Sequence, residues 1–173
     1  MFNAQTNWIL ANRTTKNLIY VGQLGDCTQN GDNPTEWLRA RDQIYKLEKA
    51  TTPALPADIP YGVCVGNHDQ FPIGNADGTT TGFNLHFGEA HFSGKPFYGG
   101  HYGSNNDNHY QLVSYGGIDF IIISLEYDPT QDQPVLDWAN TLLQTYSTRK
   151  AIIMSHYLIN ANGSWGTQGQ AIY

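Results

Sequence analysis

Three short apolar runs in this chain each stop at a compact polar cluster, and this recurrence restricts the possible folds most. Leu18 to Leu24 runs into Gly25-Asp26, Tyr61 to Val65 into Gly66-Asn67-His68-Asp69, and Ala151 to Met154 into Ser155-His156. Helical patterns separate the runs. Residues 4 to 16 read as a short amphipathic helix with Trp8, Ile9 and Leu10 on or near its buried side. Asn33-Pro34-Thr35-Glu36 is a helix start: Asn33 at the N-cap, Pro34 at the first helical position, and Glu36 placed to complete a capping box. Trp37, Ile44 and Leu47 then share one face, through about Ala50. Pro53, Pro56 and Pro60 end that helix. Further along, residues 109 to 115 alternate, Gly116-Gly117 turns the chain, and Ile118 to Leu125 is an apolar strand. Asp132 caps a last helix, with Val135, Trp138, Ala139, Leu142 and Leu143 on its apolar side.

The expected order is α-β-α-β, a long loop, then β-β-α-β, which argues a layered α/β fold. The interval from residue 70 to 108 shows no period. It is rich in Gly and Asn, yet holds Phe71, Phe83, Phe87, Phe92, Phe97, Tyr98 and Tyr102. It reads as a long insertion loop, too aromatic to be disordered. The 173 residues suit one domain able to bury a core without disulfides. Cys27 and Cys64 are too few for a disulfide scaffold. They lie close to two of the polar clusters, where they can pair or stay as buried thiols, the second being favoured.

Nine basic residues against 15 acidic ones give a net charge of -6, which excludes a binder that works by neutralising a nucleic acid backbone. No apolar run is long enough to span a membrane. Met1-Phe2-Asn3 opens no signal peptide. Only 14% of the residues are charged, and the polarity comes instead from Asn, Gln, Thr, Ser, Tyr and Gly. Such a surface suits an extracellular or periplasmic protein.

In open α/β sheets, ligands bind at the carboxyl ends of the strands. Asp26, Asn67 and His156 all follow strands. Brought to one edge, they offer a carboxylate, an amide oxygen and an imidazole, a mixed set suited to a divalent transition metal. Each has an ordinary explanation on its own: Gly-Asp as a turn, Asn-His-Asp as a capped loop, His156 as a structural histidine. Their coincidence is the signal. His86, His91, His101 and His109 read as structural or surface residues. Glu126-Tyr127-Asp128, after the strand ending at Leu125, reads as a solvated turn.

Gly25-Asp26, then Gly66-Asn67-His68-Asp69, then His156 resembles the calcineurin-like metallophosphoesterases, over Leu18 to His156 and in the right order. The resemblance implies an α/β/β/α sandwich, one phosphoesterase domain over residues 1–173, and a site for two divalent ions (Mn, Fe or Zn) acting on a phosphomono- or diester. Asp26 matches the aspartate that bridges both metals, and Asn67 and His156 match ligands of the second. His68 matches the histidine that contacts the phosphate and protonates the leaving group, and Asp69 the acid that orients it. The family's opening Asp-x-His and closing Gly-His-x-His are absent here. Where an acid or amide usually stands three residues after the aspartate, this chain has Gln29, with Asp32 further on. The sequence therefore reads as a domain incomplete at both ends. The other reading keeps the fold without the chemistry, as an extracellular binding or structural module.

Overall fold

The computed structural model describes residues 2–130 and 132–173, and its strands form two open sheets with helices packed on them. The chain begins with helix α1 (Phe2–Asn12), and β1 (Val21–Gln23) follows. Helix α2 (Pro34–Ile44) continues as a 3-10 turn over Tyr45–Leu47 and leads to β2 (Tyr61–Val63). Next come a 3-10 turn at Asn67–Asp69, α3 (Thr81–Phe87), α4 (Glu89–Phe92) and β3 (Tyr98–His101). β4 (His109–Tyr115), β5 (Ile118–Leu125), α5 (Gln133–Thr145), β6 (Lys150–Ser155) and α6 (Thr167–Ile172) complete the order.

β1 and β2 pair in parallel, Val21 opposite Tyr61. The second sheet has the order β3-β4-β5-β6. Its first two pairings are antiparallel and the last, β5 with β6, is parallel. The fold is thus mixed α/β, and neither sheet closes into a barrel. Period-two alternation along β5 separates two cores. Ile122 joins Val113 and Met154 in a cluster that includes Tyr61 and Val63 of β2 and Trp37, Ala40 and Ile44 of α2. Ile121, Ile123 and Leu125 face the other way, onto Val135, Ala139 and Leu142 of α5. Tyr20 ties the sheets together, its hydroxyl donating to Gln111 Oε1 at 2.9 Å.

Asn33 caps α2 as its sequence predicts, accepting from the Thr35 N–H at 3.0 Å. The α-helix stops at Ile44, short of the expected Ala50, because its last turn tightens into the 3-10 geometry. In α1 only Thr6 is buried and Trp8 is 54% exposed, so the expected buried side of this helix is corrected. Ile9 and Leu10 do pack partly on the core. Residues 70–108 are not a loop but hold two short helices and an edge strand. Phe83 and Phe87, one helical turn apart, pack on Trp37 with ring centroids 6.2 and 6.4 Å away. The segment is also pinned by charge. Glu48 Oε1 accepts from the Tyr61 hydroxyl (2.5 Å), His91 Nε2 (2.7 Å) and Lys95 Nζ (3.1 Å). Burial opposes the charge on Glu48, but the donors from His91, Tyr61 and Lys95 hold its carboxyl down to about 2. Among the described residues no helix is long and apolar enough to cross a membrane.

Candidate active site

The ends of β1, β2 and β6 bring the polar clusters to one place. After β1 the chain turns through Gly25 (φ +100°) and Asp26 (φ +54°). A left-handed conformation is uncommon for a residue with a side chain, and such strain collects at functional sites. Gly66 lies against this turn so closely that a β-carbon on it would collide with the Asp26 main-chain nitrogen and carboxylate. The β1 and β2 loops are therefore in backbone contact, and glycine at 66 is a steric requirement.

Asp26 is the hub. Its Oδ1 accepts the His68 N–H at 3.0 Å, and its Oδ2 lies 3.4 Å from His156 Nε2. His156 Nδ1 is 2.8 Å from the Leu24 carbonyl. A carbonyl only accepts, so the Nδ1 proton is assigned to that bond. In the neutral ring Nε2 then presents its lone pair to the Asp26 carboxylate. Two acceptors facing each other are satisfied only by a second proton or by a cation shared between them. A carbonyl on the far nitrogen is also how metal-binding imidazoles are commonly oriented. The Asp26 carboxylate and His156 Nε2 are thus two ligating groups aimed at each other, and Asn67 opens the 3-10 turn beside them. Asn67 is partly buried at the start of the 3-10 turn, and its main-chain carbonyl accepts from Gly74 N–H at 2.8 Å. Two such side chains are a sparse set for any ion. Among the described residues no three His, Cys, Asp or Glu side chains are grouped to hold a metal.

The structure corrects the part expected of Asp69. This carboxylate is fully buried and braces the two loops: Oδ1 accepts from the Thr28 N–H (3.0 Å) and hydroxyl (3.1 Å), Oδ2 from the Gly66 N–H (2.9 Å). Burial pushes its carboxyl up to about 6, against the pull of those donors. It is Gln29 that holds the His68 ring. The Gln29 carbonyl lies 2.9 Å from His68 Nδ1, and the Gln29 side-chain amide 3.1 Å from the same nitrogen. This leaves Nε2 as the nitrogen available to a substrate.

Glu126-Tyr127-Asp128 is not a solvated turn. Burial, with Asp107 close by, pushes the Glu126 carboxyl up to about 8, although the Asn108 amide donates to it at 2.7 Å. Tyr127 stands edge-on to His156, ring centroids 6.0 Å apart, and its N–H bonds Val65 O at 2.8 Å. Asp128 is buried and accepts from Thr130 and Asp132. The signal in the sequence was position alone: these residues follow β5 as Asp26 follows β1.

The other candidates are engaged away from Asp26. His109 is fully buried with Nδ1 on Asn106 O, His91 binds Glu48, His101 meets the Tyr98 hydroxyl, and His86 is buried in α3. Cys27 and Cys64 are buried free thiols, and burial raises both, Cys64 to about 12.

No family model matches the chain, and no solved structure matches it. The uncharacterized protein YvnB of Bacillus subtilis (strain 168) is 32% identical to it over 173 residues, 100% of this chain. The chain spans 12% of the length of that relative.

Proposed function

We propose that this chain carries the central part of a metal-dependent phosphoesterase of the calcineurin-like type, its two sheets and flanking helices forming that family's α/β/β/α layers. The observation that carries the reading is the Asp26–His156 pair, whose facing acceptors can share a cation as well as a proton. When bound, divalent ions supply charge stabilisation at the phosphoryl oxygens and acidify the attacking water. Asp26, Asn67 and His156 are the residues that would hold such an ion. As the imidazolium, His68 would meet the ester on its Nε2 side and deliver that proton to the departing oxygen, leaving the neutral ring with its Nδ1 proton on the Gln29 carbonyl. Asp69 keeps the two loops together by binding Thr28 and Gly66 at once. The other reading is a phosphoesterase-fold domain that has lost its chemistry and serves as a binding or structural module. The sparse ligand set favours it.

Metal analysis beside a chromogenic phosphoester assay in excess Mn²⁺ separates the two. His156→Ala is expected to lose both metal and turnover. His68→Ala is expected to keep its metal while turnover falls about 10²–10⁴-fold, the usual contribution of a general acid. Loss of metal from His68→Ala would make it a ligand instead. A wild-type protein that takes up no metal and turns over neither monoester nor diester is the module.

A further inference from the structure

The loop that holds His68 is itself held by a carboxylate from α2. Glu36 Oε2 accepts the main-chain N–H of Gln29 at 2.7 Å and of Asn30 at 2.9 Å. Its Oε1 accepts the side-chain amides of Asn33 (2.9 Å) and Asn30 (3.3 Å). Four donors therefore converge on one side chain, and two of them are peptide groups of the residue that faces His68 and of its neighbour. Those donors, the Asn30 N–H first, hold the Glu36 carboxyl below its usual range. Charge-assisted hydrogen bonds are roughly twice as strong as neutral ones. The anchor is firm at its other end, because Glu36 sits in the first turn of a helix that is capped by Asn33 and buries Trp37. Trp37 Nε1–H adds a bond to the Gly31 carbonyl at 2.7 Å, closing the same loop from its far side.

We propose that Glu36 is a positioning residue for His68, acting through the Gln29–Asn30 backbone it clamps. The inference rests on the phosphoesterase reading for its catalytic consequence, but its structural claim stands apart from that reading. The Gln29 carbonyl, which can only accept, favours the His68 tautomer protonated on Nδ1 over the one that would accept from the Gln29 side-chain amide, and it sets which way the ring points. That carbonyl belongs to a loop with no strand or helix of its own to hold it. Without the Glu36 carboxylate the two N–H groups lose their acceptor, and the Gln29–Asn30 segment can shift between its flanking bonds, Thr28 on Asp69 and Gly31 on Trp37. A displacement of about 1 Å at a reacting group can cost about 10²-fold in rate. Glu36 makes its hydrogen bonds to Gln29, Asn30 and Asn33 and not to Asp26 or His156, so its loss removes no direct contact of either.

The test combines ¹⁵N spectroscopy of the histidine rings with steady-state kinetics on wild type, Glu36→Ala, Glu36→Gln and Gln29→Ala. In the neutral wild-type ring His68 should show a protonated Nδ1 and a bare Nε2. Glu36→Ala should convert this to a mixture containing the Nε2–H form, with kcat down about 10–100-fold and KM nearly unchanged. Glu36→Gln keeps one acceptor oxygen and should fall between the two. Gln29→Ala keeps the main-chain carbonyl and should change kcat less than Glu36→Ala does. If Glu36→Ala fails to fold, the Glu36→Gln spectrum decides. An unchanged His68 spectrum in the folded glutamate variants overturns the proposal. If the wild type has no phosphoesterase activity, the spectra alone still settle the coupling, and it is the function that falls.

Discussion

Glu126 shows how far a surface-looking turn can depart from its sequence. A carboxyl pushed up to about 8 by burial and by neighbouring Asp107 is neutral at pH 7. In the unfolded chain the same group ionises near pH 4.5, the ordinary glutamate value. Between these two points the folded state binds more protons than the unfolded one, so stability must fall as pH rises. The contribution is fully present below about pH 4.5 and is lost as pH climbs through about 8. The slope is at most about 1.4 kcal/mol per pH unit. Glutamine copies the neutral acid in shape and keeps the acceptor for Asn108. Glu126→Gln is therefore expected to change stability little at pH 5 and to stabilise the protein progressively towards pH 9. Urea unfolding at pH 5, 7 and 9 checks this; parallel pH profiles for both proteins would show that Glu126 is ionised in the fold. Asp69 makes a related point. Its adjacency to His68 in sequence suggested a partnership, but the chain turns its carboxylate onto Thr28 and Gly66, residues whose approach only the fold arranges. Adjacency along the chain does not report which way a side chain faces in a 3-10 turn.

Between elements, the buried charge at Glu48 is the fastening for α4 and the stretch after it. Its one oxygen receives Tyr61 from β2, His91 from α4 and Lys95 beyond, and Lys95 also reaches Asp58 at 3.1 Å. Removing one partner of a buried pair costs about 3–5 kcal/mol, because the remaining charge is left without compensation. His91 and Lys95 keep partial exposure and Lys95 keeps Asp58, so Glu48→Gln should lie at the lower end, about 3 kcal/mol. Limited proteolysis should then cut between α4 and β3 before the rest of the domain. Loss of stability without new cleavage there would mean that the aromatic contacts of Phe92 hold the segment alone. The carboxyl is held down to about 2, so this fastening is complete above pH 4.5 and fails as pH falls through about 2. Elements of this kind were the least legible in the sequence. α2, α5, β4 and β5 have 7 to 13 residues and a clear period or start signal. α3 and α4 have 7 and 4 residues, too short for a 3.6-residue period to repeat convincingly. Their aromatics were visible, but not the α2 surface they cover. In α1 the sequence pattern placed Trp8 inward, yet the helix buries only Thr6.

Across the whole molecule the convergence of Asp26, His68 and His156 was legible because a strand end is a position that a sequence can mark. Under the proposed function, the number of ions such a site would hold is a separate question, and counting donors sets the expectation. Asp26, Asn67 and His156 can supply about three protein ligands, the usual complement of one catalytic ion with a position left open. A second ion would have only a shared oxygen of Asp26, since no group of three His, Cys, Asp or Glu side chains is gathered among the described residues. One carboxylate oxygen does not hold a divalent ion against water at trace concentration. The 173-residue chain is therefore expected to bind a single ion when titrated with Mn²⁺ or Zn²⁺, and to lose it in both Asp26→Ala and His156→Ala. Its turnover of a chromogenic phosphoester should be poor and should climb steeply with excess Mn²⁺, because half of the phosphate clamp is filled only by mass action. The same residues within a longer chain that supplies further ligands should reach full rate at trace metal. Calorimetric titration with metal analysis reads the stoichiometry directly. Two tightly bound ions in the 173-residue chain would sink the count, and would mean that donors such as Gln29 or a main-chain carbonyl of the Gly25–Asp26 turn complete a second site.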